Sequence, residues 1–134
     1  MYQYIVKEVV GVVDGDTIDV IIDLGFSILF TTRIRLAGID SPESRTSNKE
    51  EKVLGLIAKN YLRETLKESK SILIKTEKAN SSEKYGRFLG WIFIDDEPIS
   101  LNEKMIEQGY AWDYSGKSKN KDLEELKAKQ SRIS

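Results

Sequence analysis

The chain has 134 residues, 40% of them hydrophobic, with 21 basic against 22 acidic side chains. That is enough for one domain with a buried core, and it lacks the bulk positive charge with which a protein coats nucleic acid. There is no histidine and no cysteine, which excludes disulfides, thiol nucleophiles, Ser-His-Asp triads and zinc held by imidazole or thiolate, so any catalysis has to run on carboxylates, Lys, Arg, Tyr, Ser or Thr and a bound metal.

The β-branched run Ile5 to Val13 predicts a first strand. From Ile18, the residues Ile18, Val20, Ile22 and Leu24 alternate with Thr17, Asp19, Ile21 and Asp23, the period of a half-buried strand. Gly25-Phe26-Ser27 predicts a turn into a third strand from about Ile28 to Leu36. There Phe30, Thr32, Ile34 and Leu36 share one face, and Arg33 and Arg35 the other. A helix follows, with Val53, Leu54, Ile57, Ala58, Tyr61, Leu62, Thr65 and Leu66 on one face and Asn48 with Glu51 as a capping box. Ile72 to Thr76 and Phe88 to Ile94 read as two further strands joined by a polar loop from Glu77 to Tyr85. Ser100 and Glu103 suit the start of a second helix, with Gly109 at its end. A third helix, from about Asp122 to Gln130, carries only Leu123, Leu126 and Ala128 as an apolar stripe and is expected to be the least stable element.

Five strands with a helix between the third and fourth, and helices at the C-terminal end, define an α+β, mainly β, fold. Its expected form is a five-stranded OB-fold barrel with about three helices, a single domain over residues 1–134. No apolar run reaches membrane-spanning length, and Met1-Tyr2-Gln3-Tyr4 lacks the basic and apolar parts of a signal peptide. The chain therefore reads as cytoplasmic as written, and as secreted if a leader precedes it.

Three short segments carry chemistry. In Asp14-Gly15-Asp16-Thr17 the Asp-Gly pair is an ordinary turn signal, yet an Asp at a strand entrance can also aim its carboxylate out of a rigid sheet. In Arg35-Leu36-Ala37-Gly38-Ile39-Asp40-Ser41-Pro42-Glu43, two acids and an arginine lie within nine residues at a sheet edge. One reading is a polar loop with a solvated Glu43 and a surface ion pair. The other is a hard-cation site, in which Asp16, Asp40 and an oxygen of Ser41 form an incomplete shell for water and phosphate to finish. Glu43 is then a spare carboxylate able to act as a base. Glu83-Lys84-Tyr85-Gly86-Arg87 is weak alone, but it adds a second guanidinium, the planar donor that grips phosphate oxygens in pairs.

Taken together and in this order, the three segments resemble the signature of the staphylococcal nuclease (thermonuclease) family, and Gln108-Gly109-Tyr110-Ala111 resembles the stretch after its second helix. The likeness spans roughly residues 4–114 in element order. It implies a five-stranded OB-type barrel and a phosphodiesterase acting on DNA and/or RNA, breaking the bond to the 5′ oxygen and leaving 3′-phosphate ends. The implied cofactor is one calcium ion, with magnesium or manganese as alternatives, and neither a membrane nor an obligate protein partner is implied. Carried over by position, Asp16 and Asp40 are metal-ligand carboxylates and Ser41 gives a backbone oxygen. Arg35, Glu43 and Arg87 are catalytic, Lys84, Tyr85 and Tyr114 contact substrate, and Asp14 is a carboxylate standing behind the ligands. The hairpin around Asp23-Leu24-Gly25-Phe26 is longer than in the secreted type member, and the segment after Ala111 is shorter. The competing expectation is a non-catalytic OB module that binds nucleic acid or protein. Such modules usually lack the set Asp16, Arg35, Asp40, Glu43 and Arg87.

Overall fold

A computed structural model describes residues 2–77, 88–114 and 121–133. In chain order its elements are β1 (Tyr2–Asp14), β2 (Thr17–Asp23), β3 (Leu29–Leu36), β4 (Ile39–Asp40) and α1 (Lys49–Glu68). They continue with β5 (Ile72–Thr76), β6 (Phe88–Ile94), α2 (Leu101–Glu107), β7 (Trp112–Asp113) and α3 (Leu123–Ile133). Strands β1, β2, β3, β6 and β5 close in that order into the expected five-stranded OB-type barrel, and three helices accompany it. The β3–β6 seam is parallel and the other seams are antiparallel.

β1 is what closes the barrel. Its start, Tyr2 to Ile5, pairs with β5, and from Ile5 onward it pairs with β2. Register shifts between Val6 and Glu8, Val9 and Gly11, and Val12 and Asp14 bend it from one partner to the other, the usual effect of bulges. The alternating residues then point inward as expected. Ile18, Val20, Ile34, Leu36, Ile74 and Ile92 are buried in one core with Ala58 and Leu62 of α1 and Leu101 and Met105 of α2. Each such Val, Leu, Ile or Met side chain contributes about 1.5–3 kcal/mol by leaving water.

Some expectations are corrected. Leu24 lies past the end of β2 and is exposed, because Asp23 Oδ1 accepts from Gly25 N (2.8 Å) and starts the turn one residue early. Phe30 is also exposed, and meets Phe88 edge-on with ring centroids 6.1 Å apart. The described part of the β3–β6 seam covers only Ile34 to Leu36, so Phe30 lies beyond it. In α1 the predicted stripe is too wide: Val53 and Ile57 are exposed, and the buried line is Leu54, Gly55, Ala58, Leu62 and Leu66. In α3, Leu126 is fully buried while Ala128 is exposed.

Two features position the loop after β3. The two-residue strands β4 and β7 pair antiparallel, with Asp40 opposite Trp112 and Ile39 opposite Asp113. Asn102, buried in α2, donates through Nδ2 to the carbonyls of Ala37 (2.8 Å) and Gly90 (3.1 Å) and accepts from Ile92 N (3.0 Å). The end of β3 is thereby tied to both β6 and α2. Among the described residues no helix is long and apolar enough to cross a membrane.

Candidate active site

The site starts at the hairpin between β1 and β2, where Asp14 pairs with Thr17 across the turn residues Gly15 and Asp16. Gly15 is there for lack of space: a Cβ on it would sit 2.8 Å from the Ala58 Cβ and 3.0 Å from the Ser41 Cβ. That contact lets the loop after β4 pack directly on the turn. Asp16 is buried and well held. Its Oδ1 accepts from Thr17 Oγ1 (2.9 Å) and its Oδ2 from the Ser41 backbone N (3.0 Å).

Arg35 sits on β3 opposite Thr17 of β2. Its guanidinium donates through NH1 to the Leu36 carbonyl (2.9 Å), while NH2 lies 3.5 Å from Asp16 Oδ2 and 3.7 Å from Asp40 Oδ1. The arginine is thus held between two carboxylates, one from the β1–β2 turn and one from β4. Beyond Asp40 the chain passes Ser41 and Pro42, both buried, to the exposed Glu43. Asp14 Oδ1 accepts from both the backbone N (3.3 Å) and the hydroxyl of Ser44, which fixes the chain just past Glu43.

One further cation belongs to the cluster. Lys121 Nζ lies 3.1 Å from Asp40 Oδ2. That hydrogen bond holds the ammonium above its ordinary pKa; burial works against it, and the charges of Asp40, Glu51 and Glu43 reinforce it. Arg35 and Lys121 between them offset the two carboxylate charges.

The donor set suits a hard divalent cation in composition: two carboxylates, Asp16 from the β1–β2 turn and Asp40 from β4, and the buried Ser41 Oγ, which has no hydrogen-bond partner among the described residues. Among the described residues no three carboxylates converge to cage an ion.

Of the residues singled out in the sequence, the structure brings together Asp14, Asp16, Arg35, Asp40 and Ser41, with Glu43 on the same loop. The Tyr114 backbone N donates to the Gly38 carbonyl (2.8 Å), so that residue is adjacent to the same loop. Lys84, Tyr85 and Arg87 lie outside the described residues. Sequence reasoning missed Lys121, which is one basic residue among many near the C-terminal end. It also missed Asn102, whose signal is a polar residue flanked by the apolar positions Leu101 and Met105 of a short helix.

A closed five-stranded barrel carrying paired acids and an arginine at the edge of β2 and β3 is an OB-fold with a polar site on its rim. Residues 33–133 match the family described as staphylococcal nuclease homologue, and the chain belongs to that family. It is 32% identical over 130 residues to protein ParB of Escherichia coli, an alignment covering 92% of this chain and 65% of that protein. It is 31% identical to a micrococcal nuclease of Shigella flexneri (80% of this chain, 57% of that protein). It is 32% identical to a thermonuclease of Staphylococcus intermedius (81% and 58%). The chain thus spans less than two thirds of the length of each of these relatives.

Proposed function

We propose that this chain is a divalent-cation-dependent nuclease of the calcium type that hydrolyses phosphodiester bonds of DNA and/or RNA. The observation that carries the reading is the placement of the Arg35 guanidinium between the carboxylates of Asp16 and Asp40 at one edge of the barrel. A lone carboxylate pair would suit a cation alone, and a lone arginine would suit an anion alone. Their close approach suits a cation and a phosphate bound side by side.

In this reading Asp16, Asp40 and Ser41 hold the ion, and Asp14 braces the loop through Ser44. A bound divalent cation neutralises phosphate charge and orients water there. Arg35 directs its free N–H groups at the equatorial phosphate oxygens, where negative charge builds as water adds to phosphorus. Arg87 is proposed as the second such donor, with Lys84, Tyr85 and Tyr114 as substrate contacts. Glu43 accepts the proton of the attacking water. The bond from phosphorus to the 5′ oxygen breaks, the leaving oxygen takes a proton from solvent, and the phosphate stays on the 3′ side.

Plasmid DNA and a long RNA, incubated with calcium, magnesium, manganese or EDTA, test this directly. Cleavage with at least one of the ions, abolished by chelation and leaving 3′-phosphate ends, is the expected outcome. Undiminished digestion in excess EDTA overturns the metal dependence. No cleavage under any condition would favour the binding-module reading.

A further inference from the structure

The start of α1 departs from its expected capping in a way that concerns Glu43. In a capping box the third helical residue reaches back to the backbone N–H of the N-cap. Half of that arrangement is present: Asn48 Oδ1 accepts from Glu51 N (3.1 Å). The other half is not used as expected. The Asn48 N–H goes to Thr46 Oγ1 (3.2 Å), and the Glu51 carboxylate instead accepts from the backbone N of Glu43 (3.0 Å).

One turn further along the same face, Gly55 makes the contact closer. A Cβ there would lie 2.4 Å from the Glu43 carbonyl oxygen and 2.7 Å from Ser44 N, so no side chain fits unless the loop moves away. Glycine is a poor residue for a helix interior, and its presence in the middle of a 20-residue helix is explained by this approach. The peptide groups of residues 43 and 44 are therefore held from three sides. Glu51 takes the Glu43 N–H, the bare Gly55 backbone admits the Glu43 carbonyl, and Asp14 takes the Ser44 N–H and hydroxyl.

We infer that Glu51, presented by α1, is a positioning residue that fixes the backbone of Glu43 and so aims its carboxylate at the attacking water. The consequence for turnover rests on the nuclease reading in which Glu43 is the base. The consequence for the loop does not. A carboxylate on an exposed loop has many rotamers and backbone states, and a displacement of about 1 Å costs on the order of a hundredfold in rate. Anchoring the peptide on a helix removes the backbone part of that freedom.

Two substitutions separate the hydrogen bond from the charge. Glu51→Gln keeps an oxygen that accepts from the Glu43 N–H, and Glu51→Ala does not. In Glu51→Ala, kcat should fall about ten- to a hundredfold with KM nearly unchanged, whereas Glu51→Gln should stay within about threefold of wild type on both. The protection of the Glu43 amide against hydrogen exchange should fall at least about tenfold in Glu51→Ala and hold in Glu51→Gln. Equal damage in the two variants, or an unchanged kcat in Glu51→Ala, overturns the positioning role in catalysis. An unchanged Glu43 amide in Glu51→Ala overturns the anchoring itself. A wild-type chain that cleaves nothing sinks the nuclease reading, and the amide measurement still decides whether Glu51 holds the loop.

Discussion

Arg35 shows how much one side chain does in this site. Its NH1 holds the Leu36 carbonyl, and its NH2 faces Asp16 and Asp40 together. A planar fork with five donors satisfies such a set, while an ammonium offers one compact charge on a flexible stem. Arg35→Lys should therefore lose far more than its conserved charge suggests, a hundred- to thousandfold in kcat, or about 2.7–4 kcal/mol of transition-state stabilisation. Steady-state kinetics on an oligonucleotide checks this, and a Lys variant within a few-fold of wild type would reduce Arg35 to an ion-pair partner. The acids and arginine around it were legible because residue type and strand phase act locally: Arg35 had to leave β3 on its polar face, and Asp16 had to sit at the entrance of β2. Lys121 was not legible. It reaches Asp40 from a segment 81 positions along the chain, and nothing in its neighbours marks that contact.

Among the elements, α1 was readable in extent because its apolar residues repeat at helical spacing. Its buried face was not: Gly55 is buried under the loop at Glu43, a contact that no helical period encodes, while the apolar Val53 and Ile57 stay exposed. The strands β4 and β7 have two residues each, too short for any period to register. α3 was expected to be the weakest element, and its attachments bear on that. It docks through the fully buried Leu126, the Trp112 indole donating to the Asp122 carbonyl (3.0 Å), and Lys127 bonded to Glu50 of α1. Leu126→Ala should cost roughly 2–5 kcal/mol, most of it from α3 itself. Amide exchange over residues 123–133 should speed up while Ile18 to Ile22 of β2 keep their protection. Equal loss in β2 would make α3 part of the cooperative core. The Lys127 hydrogen bond, then its charge, lowers the Glu50 pKa below the ordinary 4.5. With the folded pKa depressed, the contact stabilises fully above that value and is lost as the pH falls through the lowered one. Protection of α3 should therefore decline in acid, and Lys127→Ala should reduce that decline.

Across the whole molecule, the barrel was legible as five strands and a helix in a given order, while its closure was not. Closure depends on β1 changing partners through three register shifts and on the parallel β3–β6 seam, contacts between distant segments that no local pattern encodes. The finished barrel places Asp16 and Asp40 beside Arg35 and Lys121, so the acids are already matched by cations when no metal is bound. The chain should accordingly fold and melt cooperatively in EDTA. A divalent ion bound only by the folded state adds RT ln(1 + [L]/Kd), about 2.7 kcal/mol at a hundredfold excess over Kd. At about 4 °C per kcal/mol for a domain of this size, the melting temperature should rise by roughly 10 °C with saturating calcium. A nucleoside 3′,5′-bisphosphate, which would bring phosphate oxygens to the ion and to Arg35, should raise it further. Asp40→Asn should keep most of the EDTA melt and lose most of the calcium increment. If that variant gains as much from calcium as the wild type, the ion binds elsewhere on the protein. If the wild-type melt stays flat while calcium saturates the activity, the ion arrives with the substrate and the free chain has no site for it.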